Sequence, residues 1–198
     1  FNETLEKARE IGFIIDEVSI DQQLLNAIYP AYMIISCAES TSNNANLNGI
    51  SFGLKGKGNS VEEIMFDSRT RGFSELIKRR FILGSYILQR ENQERFFLNA
   101  GKVRRLIVDK INELFKTYDG LILPSSGGVA PKIESQNINK LSDMSLVLES
   151  HMALANFGGF PSISIPNGFI NNMPIGVNIT GRVFEDDVLL NMAYKLEE

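Results

Sequence analysis

Hydrophobic and polar positions alternate most regularly between Phe160 and Gly181, in the stretch FPSISIPNGFINNMPIGVNITG. Ile163 and Ile165 fall on one side of an extended chain, and the small polar Ser162 and Ser164 on the other. Ile175, Val177 and Ile179 repeat the same period of two. A period of two predicts strands, here Pro161 to Pro166 and Pro174 to Ile179. Asn167-Gly168 and Asn171-Asn172 are turn chemistry, because Gly and Asn tolerate positive φ. Both runs are apolar enough for the centre of a sheet with helices around it. Gly158 and Gly159 just upstream allow the backbone to pass close to a neighbour.

The pattern elsewhere is mostly helical. Asn2 or Thr4 is placed to cap a first helix through Glu10, with Gly12 as its stop. FIIDEVSI (13–20) alternates like a strand. Asp21 is placed to cap the run to Tyr29, and Pro30 to open a further helix at its first turn. Residues 48–60, NGISFGLKGKGNS, read as a Gly-rich loop. Ser60 with Glu63 has the spacing of a capping box for the helix that follows. Two long helical segments, from about Gly72 to Tyr118, read as a helical hairpin. LILPSS is expected as a buried strand and 125–132 as a loop. Ser142 or Asp143 is placed to cap a helix through about Ala155. A last helix opens on Glu185, Asp186 and Asp187, with acids at the positive end of its dipole. Strands alternating with helices predict an α/β fold, a mixed β-sheet flanked by helices. At 198 residues the chain is expected to form a single domain, 1–198.

Composition narrows the classes of function. The net charge of −4 gives no sign of a nucleic-acid surface. One cysteine, Cys37, excludes an internal disulfide and a cysteine-rich zinc site, and fits a reducing, cytoplasmic setting. No apolar run reaches the ~18 residues of a membrane span. The chain begins with Phe and enters helix-forming sequence at once, which reads as part of something larger.

Few residues suggest chemistry. On a helix, Phe73, Leu76, Ile77, Phe81, Gly84, Ile87 and Leu88 share one stripe, and Arg80 falls in its middle. Lys78 and Arg79 point to the flanks. A guanidinium among apolar side chains needs an anion. That anion is either a carboxylate of the protein or the carboxylate of a ligand, which Arg grips with two parallel hydrogen bonds. Glu149, flanked by apolar residues, is a partner for Arg80, a holder of a ligand ammonium, or an exposed helix carboxylate. Tyr32 opens an apolar helix, as a core tyrosine or a pocket wall. His151 is the only histidine and no GxSxG elbow is present. Cys37 has no base beside it in sequence. Residues 53–58 do not make a P-loop. The residues alone yield no catalytic centre.

Four stretches in order, AYMIISCAESTSNNANLNGISFG, RGFSELIKRRFILGSYIL, KVRRLIVDKINELFKTYDGLILPSS and NFGGFPSISIPNGFINNMPIGVNITG, resemble the amidase signature family. The resemblance is strongest to its glutaminase branch, the A subunits of glutamyl-tRNA(Gln) amidotransferases. It implies a mixed sheet sandwiched by helices. It implies a subunit that hydrolyses glutamine and passes the ammonia to a partner protein, where a tRNA-bound glutamate is activated with ATP and amidated. The cofactors, ATP and Mg, then belong to the partner and none to this chain. The partners implied are the B and C subunits, glutamine, and Glu-tRNA(Gln) through the complex. The family's Ser–cis-Ser–Lys triad sits in a Gly/Ser-rich signature. SSGGVAPK is the nearest match and lies after the strand that the signature should precede. The chain therefore resembles the C-terminal part of the family's sequence, without the triad. The positions matching the family's glutamine contacts are Tyr32, Arg80 for the α-carboxylate, and Glu149 for the α-ammonium, where the family usually carries Asp. Two alternatives stand beside this: part of another amidase acting on a small amide, and a non-catalytic binding or scaffold module.

Overall fold

Helix-forming and strand-forming patterns resolve into eight α-helical segments and three strands in the computed structural model, which describes residues 1–130 and 150–197. The helices are α1 (Asn2–Glu10), α2 (Gln22–Asn43), α3 (Val61–Gly72), α4 (Glu75–Ile87), α5 (Arg90–Gln93), α6 (Asn99–Leu114), α7 (Ala153–Gly158) and α8 (Asp186–Glu197). The strands are β1 (Gly120–Pro124), β2 (Ser162–Ile170) and β3 (Met173–Gly181). The backbone divides into two compact units, Phe1–Tyr29 with Val103–Glu198, and Pro30–Lys102.

The first unit is built on the alternating stretch. Its sheet has the order β1-β3-β2, and both pairings are antiparallel. β3 is central and β2 lies at an edge of the described sheet. Ile163, Ile165, Val177 and Ile179 point to one face with Ile122 of β1. There they pack with Ala8 of α1 and with Leu189, Ala193 and Leu196 of α8. Asp186 and Asp187 open α8, as its dipole favours. The other face is polar. Asn178, nearly fully buried, donates from Nδ2 to Ser162 Oγ at 3.0 Å, the Ile163 carbonyl at 3.1 Å and Ser164 Oγ at 3.1 Å. Thr180 Oγ1 donates to Asn178 Oδ1 at 3.2 Å. The strand polarity read from the sequence thus separates a core face from a hydrogen-bonded face.

Details of this unit depart from the sequence pattern. Asn171 and Asn172, at φ 51° and 62°, form the two-residue turn of the β2–β3 hairpin. Asn167-Gly168 does not turn the chain: the register shifts between Pro166 and Phe169, and Gly168 at φ 91° sits in that bulge. Residues 13–20 are extended without strand pairing. The alternation there is real, since Phe13 and Ile15 pack on the core while Ile14 is 92% exposed, but no ladder forms. Neither Asn2 nor Thr4 caps α1, whose first turn has no side-chain cap. The Thr4 hydroxyl instead meets Asn167. The close approach at Gly158 is local: a Cβ there would stand 2.1 Å from the Phe160 ring.

The second unit is helical. Pro30 does not open a helix; it lies inside the 22-residue α2. Asp21 Oδ1 does accept from the Gln23 amide at 2.7 Å. α2 and α4 pack through Cys37, Ala38 and Ile87, joined by Met33, Ile34 and Leu88 and by Phe96 and Phe97 of the π-turn Glu94–Leu98, which links α5 to α6. That π-turn has no sequence signal in the helical pattern. The Gly-rich loop folds back on α3. Ser60 Oγ accepts from the Glu63 amide at 3.2 Å, and Glu63 Oε2 accepts from the Asn59 amide at 2.6 Å, one residue earlier than in a standard capping box. Expectations for Ser142, Asp143 and Glu149 fall outside the described residues.

Candidate functional site

The stripe on α4 orients the residues as its periodicity requires. Gly84 and Ile87 are buried, while Phe73, Leu76, Ile77, Phe81 and Leu88 are half-buried. Lys78, on the flank, pairs with Glu75 at 2.9 Å. Arg79 is exposed. Ser74 Oγ starts the helix by accepting from the Ile77 amide at 3.4 Å. Arg80 is half-buried on this stripe. Its Nε is fully shielded from solvent and has no hydrogen-bond partner among the described residues. The ion pairs among the described residues use Arg9, Arg71, Lys78, Arg105, Lys110 and Arg182, and none uses Arg80. An N–H held away from water without an acceptor is unfavourable by roughly 1–3 kcal/mol, more when the group is charged.

Cys37 of α2, on the helix packed against α4, is fully buried. Burial pushes its thiol pKa up. The Arg80 charge and a hydrogen bond with Ser36 act in the opposite direction with smaller effect. Cys37 is therefore a core residue whose burial favours the protonated thiol. Tyr32 is half-buried on the same helix, one residue before Met33 of the cluster that joins α2 to α4. The structure thus brings the helices of Tyr32 and Arg80 together. Glu149 lies outside the described residues.

Two other sequence candidates have structural employment. His151 donates from Nε2 to the Pro124 carbonyl at 2.7 Å, which anchors the start of α7 to the end of β1. In the loop after β1, Ser126 Oγ donates to the Gly128 carbonyl at 2.6 Å. Ser125 Oγ is shielded from solvent without a partner among the described residues.

A second arginine escaped sequence reasoning. Arg69 of α3 donates from one NH group to the Asn44 and Leu47 carbonyls at 2.9 and 3.1 Å. Its guanidinium also lies over the rings of Phe73 and Phe81, 5.0 and 5.3 Å from their centroids. The two rings meet edge to face at 4.9 Å. These groups wall an apolar recess of about 540 Å³ with Met65, Phe66 and Ile82; neither Tyr32 nor Arg80 lines it. Arg69 has its acceptors and its rings, and this is the contrast that sets Arg80 apart. The aromatic residues on the stripe, at Phe73 and Phe81, were the only available signal for it.

Known proteins share the sequence pattern and the fold of this chain. The amidase family model matches residues 1–190. The glutamyl-tRNA(Gln) amidotransferase A subunit of Desulforamulus reducens is 33% identical, over 98% of this chain and 39% of its own length. The Halothermothrix orenii A subunit is 37% identical over the same shares. The crystal structure of the Thermotoga maritima A subunit matches with a TM-score of 0.67 and 29% identity, over 100% of this chain and 36% of that one. An amidase crystal structure with 17% identity and a TM-score of 0.73 shares the fold over 99% of this chain and 40% of its own. The chain spans about two fifths of the length of the curated relatives it matches. With a family model running from residue 1 to residue 190, this chain belongs to the amidase family.

Proposed function

We propose that the chain is the C-terminal part of the glutamine-hydrolysing A subunit of a glutamyl-tRNA(Gln) amidotransferase, and that it supplies part of the glutamine pocket. In this reading Arg80 holds the α-carboxylate, Glu149 the α-ammonium, and Tyr32 borders the pocket. The Ser–cis-Ser–Lys triad lies in a segment outside the 198 residues. The ammonia passes to the B subunit, which uses ATP and Mg to amidate Glu-tRNA(Gln), with the C subunit completing a cytoplasmic heterotrimer. The reading is supported by the amidotransferase relatives and carried by one observation: Arg80 is half-buried, and among the described residues its Nε has no acceptor and no carboxylate pairs with it. A structural arginine would look like Arg69.

Two measurements test it. In the full-length protein within its complex, Arg80→Ala should weaken glutamine binding by ~2–5 kcal/mol, the scale for truncating one partner of a buried charge pair. A glutamine KM that stays constant while the protein melts earlier would make Arg80 structural. The isolated 198-residue chain should release no ammonia from glutamine, and turnover by a clean preparation would place a nucleophile inside it.

A further inference from the structure

α2 and α4 meet almost backbone to backbone. A Cβ built on Gly84 would stand 2.1 Å from both the Cys37 carbonyl oxygen and Thr41 Oγ1, so only glycine permits the approach. Thr41 sits in the crossing. Its hydroxyl lies 2.8 Å from the Cys37 carbonyl of its own helix and 3.3 Å from the Phe81 carbonyl of α4. One proton is thereby shared between the two helices. Arg80 directly precedes Phe81 and is one turn before Gly84 on the same face. The Cys37 thiol on the opposing helix feels the Arg80 charge. The height of α4 on α2 therefore sets the backbone position from which the Arg80 side chain extends.

We propose that Thr41 and Gly84 are positioning residues for Arg80: they fix the guanidinium where it can take an amino-acid carboxylate in two parallel hydrogen bonds. This rests on the reading of Arg80 given above. Neither residue touches the substrate. A bidentate grip tolerates little displacement, since both N–H vectors must meet both carboxylate oxygens. A small shift at the crossing is therefore read out as carboxylate affinity, while chemistry at the distant amide end is spared.

The test uses the full-length protein in its complex, with glutamine as substrate and L-glutaminamide, whose α-carboxylate is replaced by a neutral amide, as competitor. Thr41→Val keeps the side-chain volume and removes the hydroxyl. It should raise the glutamine KM about fivefold, the scale of one neutral hydrogen bond, with kcat retained. The inhibition constant of L-glutaminamide should not move. Introduced beside Arg80→Ala, Thr41→Val should raise KM no further, because the group it positions is gone. Equal weakening of glutamine and L-glutaminamide, or a full fivefold effect in the Arg80→Ala background, would make Thr41 a packing residue and overturn the proposal. So would an unchanged glutamine KM in Thr41→Val when Arg80→Ala alone raises it. If Arg80→Ala itself leaves KM unchanged, the carboxylate reading fails instead. Gly84→Ala supplies an independent variant: if it folds by circular dichroism, it should shift selectivity in the same direction and further.

Discussion

The two compact units hold together by different means. In the first, branched side chains from three strands interdigitate with two helices, and the core residues Val177 and Ile179 are almost wholly removed from water. In the second, close backbone approach makes much of the contact. Gly84 seats α4 on α2, and Gly56 lies so near α3 that a Cβ would stand 1.9 Å from the Ile64 carbonyl oxygen. Polar groups then fasten the loop: Ser68 Oγ donates to the Leu54 carbonyl at 2.6 Å, and Arg69 ties the end of α2 to α3. A core of side chains is weakened by removing atoms. A seam of backbones is weakened by adding them.

That contrast predicts opposite sensitivities. Ile179→Ala should be the most damaging single truncation considered, at roughly 2–5 kcal/mol, because it opens a cavity between sheet and helix. Amide exchange should accelerate along β3 and α8. Slow exchange preserved there would mean that the hairpin core is not what stabilises this unit. Gly56→Ala should come next, at roughly 1–3 kcal/mol, although it adds only a methyl group. Here exchange should accelerate in the first two turns of α3 and in the loop before it, with β3 unaffected. A neutral Gly56→Ala would show that the loop can lift from α3 freely, and the proposed seam would be wrong.

Legibility in the sequence follows the same division. The β2–β3 hairpin was readable because alternation fixes which face is buried and Asn-Asn at positive φ fixes the turn. The Ser60 cap and the α4 stripe were readable because each depends on spacing within one helix. Residues 13–20 misled for a physical reason: alternation reports burial on one side, which an unpaired extended segment can satisfy by packing alone. Pro30 misled because its ring disfavours a helix interior without forbidding one. Arg80 was visible as an arginine in an apolar stripe. Its missing acceptor was not, since that depends on where carboxylates distant in sequence fall. Arg69 had only the stripe aromatics Phe73 and Phe81 as a signal, because its carbonyl acceptors lie 22 and 25 residues away. The Gly84 seat was equally hidden: a helical glycine shows its purpose only when the opposing helix is in place.

The smallest effect expected concerns the fastening of the loop. Asp67 of α3 accepts from Arg71 Nε at 2.9 Å and from the Lys57 backbone amide at 2.6 Å. The Arg71 hydrogen bond, then the Lys57 amide, draw its carboxyl pKa down to about 2. Because the folded value is depressed, the charged form favours the closed loop. That contribution is complete above the ordinary carboxylate range near pH 4 and disappears as pH falls through about 2. The group is partly exposed, so the effect on global stability is slight and salt weakens it. It is best read locally: the Lys57 amide proton shift should titrate with a midpoint near 2, and in Asp67→Asn that titration should vanish. A midpoint at the ordinary carboxylate value of about 4 would mean that Asp67 does not hold the loop in solution. The loop would then rest on its glycine contacts alone, which would sharpen the contrast between a seam that tolerates no added atoms and a core that tolerates no missing ones.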